Sequence, residues 1–241
     1  MLINHIKTHK IKPKESLLNL LDRYLPNLLE NSVIAIASKI VSTCENRLIY
    51  KKGVINKKDL IYKESDHCFK PPKKQPTFCL TLKNHRLIPN AGIDESNCNN
   101  FYIPLPKKPQ LTAKKIWQYL RKKYHLKKIG IIITDSNITP LRSGVTGITI
   151  GWCGFKPIYS YIGKKDIFGH TLKVTQINLL DSLATAATLM MGEGKEQTPL
   201  VIMYNLPTTI SFQNRVPTKK EEQQIYINLK NDLFSTVISY E

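Results

Sequence analysis

Four short polar stretches carry side chains able to do chemistry, and each lies beside an apolar run. The first is Thr134-Asp135-Ser136, which follows the β-branched run over residues 129–133. Such a run reads as a buried strand, expected to stop at Thr134. A carboxylate and two hydroxyls then sit where a rigid element surfaces. Arg142-Ser143-Gly144 follows the polar turn around Asn137 and Pro140, and its guanidinium can meet an anion. The plainer alternative is that Asp135 only opens a turn, a position Asp favours. The second stretch is Asn90-Ala91-Gly92-Ile93-Asp94-Glu95-Ser96-Asn97. A turn explains it, and its oxygens would equally suit a hard cation such as Mg²⁺ or Mn²⁺. The third is Ser38-Lys39-Ile40-Val41-Ser42, directly after the apolar run over residues 32–37. A lysine flanked by serines at a strand end can hold a phosphate, although an ordinary surface lysine looks the same. The fourth is Gly192-Glu193-Gly194-Lys195, a charged, glycine-bearing exit that lacks the spacing of a Walker A loop.

These stretches need elements to position them. Leu17, Leu18, Leu21 and Leu25 recur at helical spacing and predict a helix over residues 15–25. Residues 32–37 and 200–204 read as short buried strands, 78–82 as a further strand, and 145–150 as a strand flanked by Gly144 and Gly151. A basic amphipathic helix is expected over 112–124, with Thr112 as N-cap. Ile116, Trp117, Leu120 and Tyr124 form its inner face, and Lys114, Lys115, Arg121, Lys122 and Lys123 the rest. The clearest helical pattern lies within 172–196, where Ile177, Leu180, Ala184, Ala187 and Met191 recur every three or four residues. Gly192 fits its C′ position, and Asp181 falls in its middle. Residues 163–169 read as a turn and 219–241 as containing a helix. Residues 50–76, rich in Lys and Pro, read as a loop or a weakly ordered excursion. Short strands with few helices predict the α+β class with mixed sheets, as a single domain over 1–241.

The charge balance of 36 Lys+Arg against 18 Asp+Glu gives +18, which draws polyanions. Abundant Lys, Asn and Ile together also fit a biased genome, so the charge is discounted as a functional signal. A basic nucleic-acid-binding module remains the alternative class; no aromatic–basic platform motif supports it. Cysteines 44, 68, 79, 98 and 153 are odd in number, scattered and without CxxC, so neither a disulfide framework nor a zinc knuckle is expected. A reducing, cytoplasmic setting is the expectation. The opening residues lack the apolar core of a signal peptide, and no apolar run reaches the ~18 residues of a membrane span. The six histidines stand singly, and GxSxG, HExxH and GxGxxG are absent, which gives no support to a serine hydrolase, a zinc enzyme or a dinucleotide fold.

Taken in order, the stretches resemble the coenzyme F420:L-glutamate ligase family. The matching pieces are Ser38 to Ser42, Asn90 to Asp94 with Ser96-Asn97, Ile133 to Ser136, Arg142 to Gly144, Asp166 to Gly169, Val174-Thr175, and Asp181 through Gly192. The resemblance implies an intertwined homodimer with a cleft site. It implies a GTP-dependent (or ATP-dependent) ligase joining L-glutamate to an F420 precursor or, in one branch, a folate, through an acyl phosphate. By it, Asp94, Asp135, Ser136 and Glu193 are metal ligands for Mg²⁺ or Mn²⁺, with K⁺ a further candidate cation. Ser38, Lys39, Asn97, Gly192, Gly194 and Lys195 are nucleotide contacts, and Asp135 and Arg142 are catalytic. Ile138-Thr139 stands where the family often has Gly-Arg, and Thr43 where a basic residue is common; a member that kept the fold and lost turnover is therefore a further reading.

Overall fold

The computed structural model describes residues 1–52, 56–70 and 78–236. In chain order come β1 (Leu2–Ile6), α1 (Leu17–Tyr24), β2 (Ser32–Ala37) and α2 (Ser38–Cys44). A lobe follows, with β3 (Ile49–Tyr50), α3 (Lys57–Glu64), β4 (His67–Cys68), β5 (Leu80–Lys83), β6 (Arg86–Pro89) and β7 (Phe101–Tyr102). The chain then adds α4 (Pro109–Tyr124), β8 (Ile129–Ile138), β9 (Val145–Cys153), β10 (Ile158–Ser160), β11 (Gln176–Asn178), α5 (Leu179–Met191), β12 (Leu200–Tyr204) and α6 (Lys219–Gln223).

The main sheet has the order β1-β12-β2-β8-β9. Its pairs are antiparallel except β2 with β8, which run parallel, so the sheet is mixed. Strand alternation explains why its central strands read as unbroken apolar runs: both faces are covered. Ile34, Ile36, Ile131 and Ile133 pack against α1 and α4 through Leu20, Leu21, Ile116 and Leu120. Val33, Ala35, Ile132 and Trp152 pack on the other face, against Leu180, Ala184 and Ala187 of α5. Few helices and mixed sheets accord with the α+β reading. Trp117, inside α4 as expected, donates its Nε1–H to the Ile129 carbonyl.

Several boundaries differ from the sequence reading. β8 does not stop at Thr134 but runs to Ile138, with a register irregularity between Ile133 and Thr134. Its polar half is a strand because β9 continues to pair with it, and Thr134, Asp135 and Ser136 line a cleft. α4 starts at Pro109, whose fixed φ suits a first helical turn; Lys108 is the N-cap, and the Thr112 hydroxyl bonds Glu45 instead. α5 begins only at Leu179, capped by the Asn178 side chain, so Asp181 lies in its first turn and Ile177 in β11. Among the described residues the tail's α-helix is confined to α6, opened by a Thr218–Glu221 capping box and followed by short 3₁₀ turns. Within residues 50–76, α3 forms with Leu60 and Ile61 buried, capped by Asn56. Its two inward residues are too few for periodicity to reveal. Residues 53–55, 71–76 and 237–241 of those two readings lie outside the described residues.

The cysteine reading is also corrected: Cys68 and Cys79 are bonded. Cys68 pairs across β4–β5 with Thr81, which puts Cys79 at a same-face diagonal position. That register is invisible in cysteine spacing. The loop closed spans a separation of only 11 residues, for which the chain-entropy treatment gives about 3 kcal/mol. Cys79→Ser is expected to speed amide exchange in β5 and β6 while leaving the β2–β8 core unchanged, as read by hydrogen exchange. Equal protection in both forms would show that the bond adds nothing to the lobe.

Candidate active site

β2 and β8 lie side by side and point the same way, and β2 ends where Ala37 pairs with Thr134. The chain turns there into α2, while β8 continues past that edge paired only with β9. Asp135 therefore stands just beyond the end of β2, beside the first residue of α2. Ser38 Oγ donates to Asp135 Oδ1 at 2.5 Å. Alternation sends the neighbours of Asp135 to the α5 side: Thr134 Oγ1 meets Thr188 Oγ1 at 3.4 Å, and Ser136 Oγ donates to Glu193 Oε1 at 2.6 Å. At the β8 irregularity the Thr149 N–H would lose a partner, and Asp181 Oδ1 accepts it at 2.8 Å. Asp181 thus supports the strand and does not reach the cleft.

Asp94 arrives from the lobe. Asn90, Ala91 and Gly92 all take positive φ, an unusual run held by specific bonds. The Cys79 N–H donates to Asn90 Oδ1, the Asn90 N–H to the Cys79 carbonyl, and the Ala91 N–H to Thr81 Oγ1. At Gly92 a Cβ would lie 2.7 Å from Leu105 Cγ, so only glycine fits. This turn delivers Asp94, whose Oδ1 accepts from the Ser96 N–H and the Ser96 hydroxyl at 2.7 and 2.8 Å. Its Oδ2 pairs with Lys39 Nζ at 2.5 Å. A second tie crosses to the loop after α5, where Asn97 Nδ2 donates to the Gly194 carbonyl at 2.8 Å. That loop is shaped by Gly192, with φ 71°, and by Glu196, which accepts from the Gly194 N–H.

These pieces wall a single cleft of about 1080 Å³, the size of a nucleotide-scale ligand site. Ser38, Lys39, Asp94, Asn97, Asp135 and Ser136 line it, as do Gly192, Glu193, Gly194 and Lys195. Burial pushes the Asp135 carboxyl up to about 6, and the negative charge of Asp94 adds to the rise against the Ser38 hydrogen bond and Lys39. Two carboxylates that oppose each other's charge in a half-buried site favour a shared cation. Among the described residues, no group of three or more His, Cys, Asp or Glu stands close enough to hold a metal unaided.

Arg142 is not brought to this cleft. It sits at the exposed tip of the β8–β9 hairpin, its N–H bonded to Thr139 O. A turn residue beside a candidate carboxylate in sequence is carried away from it by three further residues of extended strand. The cleft also contains residues outside the candidate site set read from the sequence. Thr8 to Pro13 form one rim, with Lys10 and Lys12 on it. His9 is fixed between the Tyr24 hydroxyl at 2.7 Å and Glu15 at 3.0 Å. Phe101 and Ile103 supply an apolar wall, and Thr188 and Glu196 lie opposite. No local signal marks these; they are adjacent only through the β1–β12 pairing and the lobe.

The sequence was compared with known proteins. The model of the F420-0:gamma-glutamyl ligase family matches residues 5–205. A protein of Methanococcus maripaludis strain S2 named coenzyme F420:L-glutamate ligase is 33% identical over 216 residues, 83% of this chain and 86% of that one. One of the same name from Methanopyrus kandleri is 33% identical over 215 residues, 82% of this chain and 83% of its own. Another, from Methanosarcina mazei, reaches 45% over 127 residues, 52% of this chain and 49% of its own. The match spans the main sheet, the lobe and every wall of the cleft, and this chain belongs to the F420-0:gamma-glutamyl ligase family.

Proposed function

We propose that this chain is a nucleotide- and divalent-metal-dependent γ-glutamyl ligase, working as one unit over residues 1–241. It joins L-glutamate to the carboxylate of an F420 precursor through an acyl phosphate. One observation carries the reading: Asp94, Asp135, Ser136 and Glu193, distant in sequence, line one cleft with Ser38, Lys39, Asn97 and the loop over residues 192–195. The donor set is all hard oxygen, which suits Mg²⁺ or Mn²⁺ held by a few protein oxygens with phosphates and water completing the shell. Bound there, the ions would neutralise charge on the phosphates and on the transferring phosphoryl group.

The chain's own residues do the rest. Ser38 fixes the Asp135 carboxylate by its hydrogen bond, and Ser136 and Glu193 brace each other across the cleft. Lys10, Lys12, Lys39 and Lys195 supply positive charge around the phosphates. Asn97, tied to Gly194, keeps the lobe and the nucleotide loop in register. The basic face of α4 lends little to a nucleic-acid reading, since Lys114 pairs with Glu222 and Lys123 with Asp22. The test is a glutamylation assay with GTP and ATP, supplying F420 precursor and folate side by side. Expected are a γ-glutamyl product of the F420 precursor, nucleoside diphosphate and phosphate; folate turnover would reassign the acceptor, and no product with either removes the reading.

The proposal includes a homodimer. Leu141, at the hairpin tip, is fully exposed at 104%, and Phe168 is 79% exposed, with Ile167 and Val174 exposed on the same excursion. Apolar arms of this kind favour cover by a second copy. Arg142 would then lie at the interface. Leu141→Asp is expected to shift the particle from twice the chain mass to one chain mass in light scattering; an unchanged mass would take the hairpin out of the interface.

A further inference from the structure

The geometry points to Lys39 as a resident counter-cation of Asp94 that must change partners before a divalent ion can bind. The inference rests on the ligase reading above and adds an order to it. Both oxygens of Asp94 are engaged, Oδ1 by the Ser96 N–H and hydroxyl and Oδ2 by the Lys39 ammonium at 2.5 Å. The ammonium is held further by the Ser96 carbonyl and hydroxyl, each at 3.0 Å. An ammonium in that place and a dication on the same carboxylate exclude each other by charge and by space.

Lys39 has somewhere to go. It stands on the first turn of α2, in the main body, while Asp94 rides on the lobe, and its side chain is 30% exposed to the cleft. Its four-carbon stem can swing without moving the helix. Nucleotide phosphates in the cleft offer the ammonium a stronger partner than one carboxylate. Once drawn to them, Lys39 frees Asp94 Oδ2. Nucleotide and metal therefore bind cooperatively because one side chain serves both, and a metal ion without nucleotide meets a blocked ligand. The coupling is reciprocal, as any binding linkage must be.

The test is Mn²⁺ binding by electron paramagnetic resonance, alone and with guanylyl or adenylyl imidodiphosphate. Wild type is expected to bind Mn²⁺ weakly alone and about tenfold or more tighter with the nucleotide analogue. Lys39→Met is expected to bind nucleotide-free Mn²⁺ about tenfold tighter than wild type and to lose most of the coupling. Lys39→Arg, which keeps the charge, should stay like wild type without nucleotide. In Asp94→Asn the Lys39→Met gain should vanish, as a double-mutant cycle requires. Nucleotide-free affinity in Lys39→Met equal to or below wild type overturns the inference and leaves the ligase reading standing. Absence of Mn²⁺ binding to every form, nucleotide present or not, overturns both.

Discussion

Asp135→Asn should abolish turnover and at the same time make the metal-free protein more stable at pH 8. The two effects share one cause. The carboxyl is pushed from the ordinary 3.8 to about 6, chiefly by burial and further by the charge of Asp94. Ionised at pH 8, it costs the fold free energy; below 3.8, where the unfolded chain is protonated as well, it does not. Asparagine keeps an oxygen for the Ser38 hydroxyl and carries no charge. For a half-buried group the gain at pH 8 is about 1–2 kcal/mol, a rise of about 2–8 °C in melting temperature for a chain this long. The gain should shrink below pH 6 and be gone only below the ordinary carboxyl value of 3.8, near pH 3. Losing a charged ligand to the cation that offsets phosphoryl-transfer charge should cost about a thousandfold or more in kcat/KM. A variant that loses activity and also melts earlier at pH 8 would mark Asp135 as a structural carboxylate.

Gly147→Ala should be strongly damaging for so small a substitution. Gly147 pairs with Ser136 across β8–β9, and α5 packs directly on it. A Cβ there would lie 2.2 Å from the Ala184 carbonyl oxygen and 2.6 Å from the Thr185 nitrogen. Both are helix backbone and cannot swing aside, so the helix must move away from the strand. Overpacking of this kind costs about 3 kcal/mol or more, which lowers the melting temperature by about 6–12 °C. Because α5 ends at Met191 and leads straight into Gly192 and Glu193, the nucleotide loop shifts with it. Calorimetric melting and binding of a nucleotide analogue should therefore both suffer. A Gly147→Ala protein with native melting would show that the α5–β9 contact has slack.

The sequence made the central strands and the inner faces of α4 and α5 legible because burial on both sides leaves apolar runs and helical spacing leaves stripes. Leu180, Ala184, Ala187 and Met191 are buried as their spacing predicts. Legibility failed where a partner distant in the chain decides. β8 stays extended through Thr134-Asp135-Ser136 because β9 pairs with it and Asp181 takes the Thr149 N–H left over by the irregularity. The Cys68–Cys79 bond depends on the β4–β5 register. The patches around residues 38, 94, 135 and 193 were visible one by one, and their resemblance in order to a known family predicted that they meet. That Lys39 and Asp94 form a pair was not readable, since their contact joins the main body to the lobe. Arg142, near Asp135 in sequence, lies apart from the cleft in the single chain because the β8–β9 hairpin carries it outward.

The central claim is that Asp94 and Asp135 hold divalent cations beside a nucleotide in this cleft. It is tested most directly by Mn²⁺ titration with a non-hydrolysable nucleotide bound, comparing wild type with Asp94→Asn and Asp135→Asn. Saturable binding to wild type, weakened about tenfold or more in each variant, is the expected result. Binding to both variants as tight as to wild type would contradict the account.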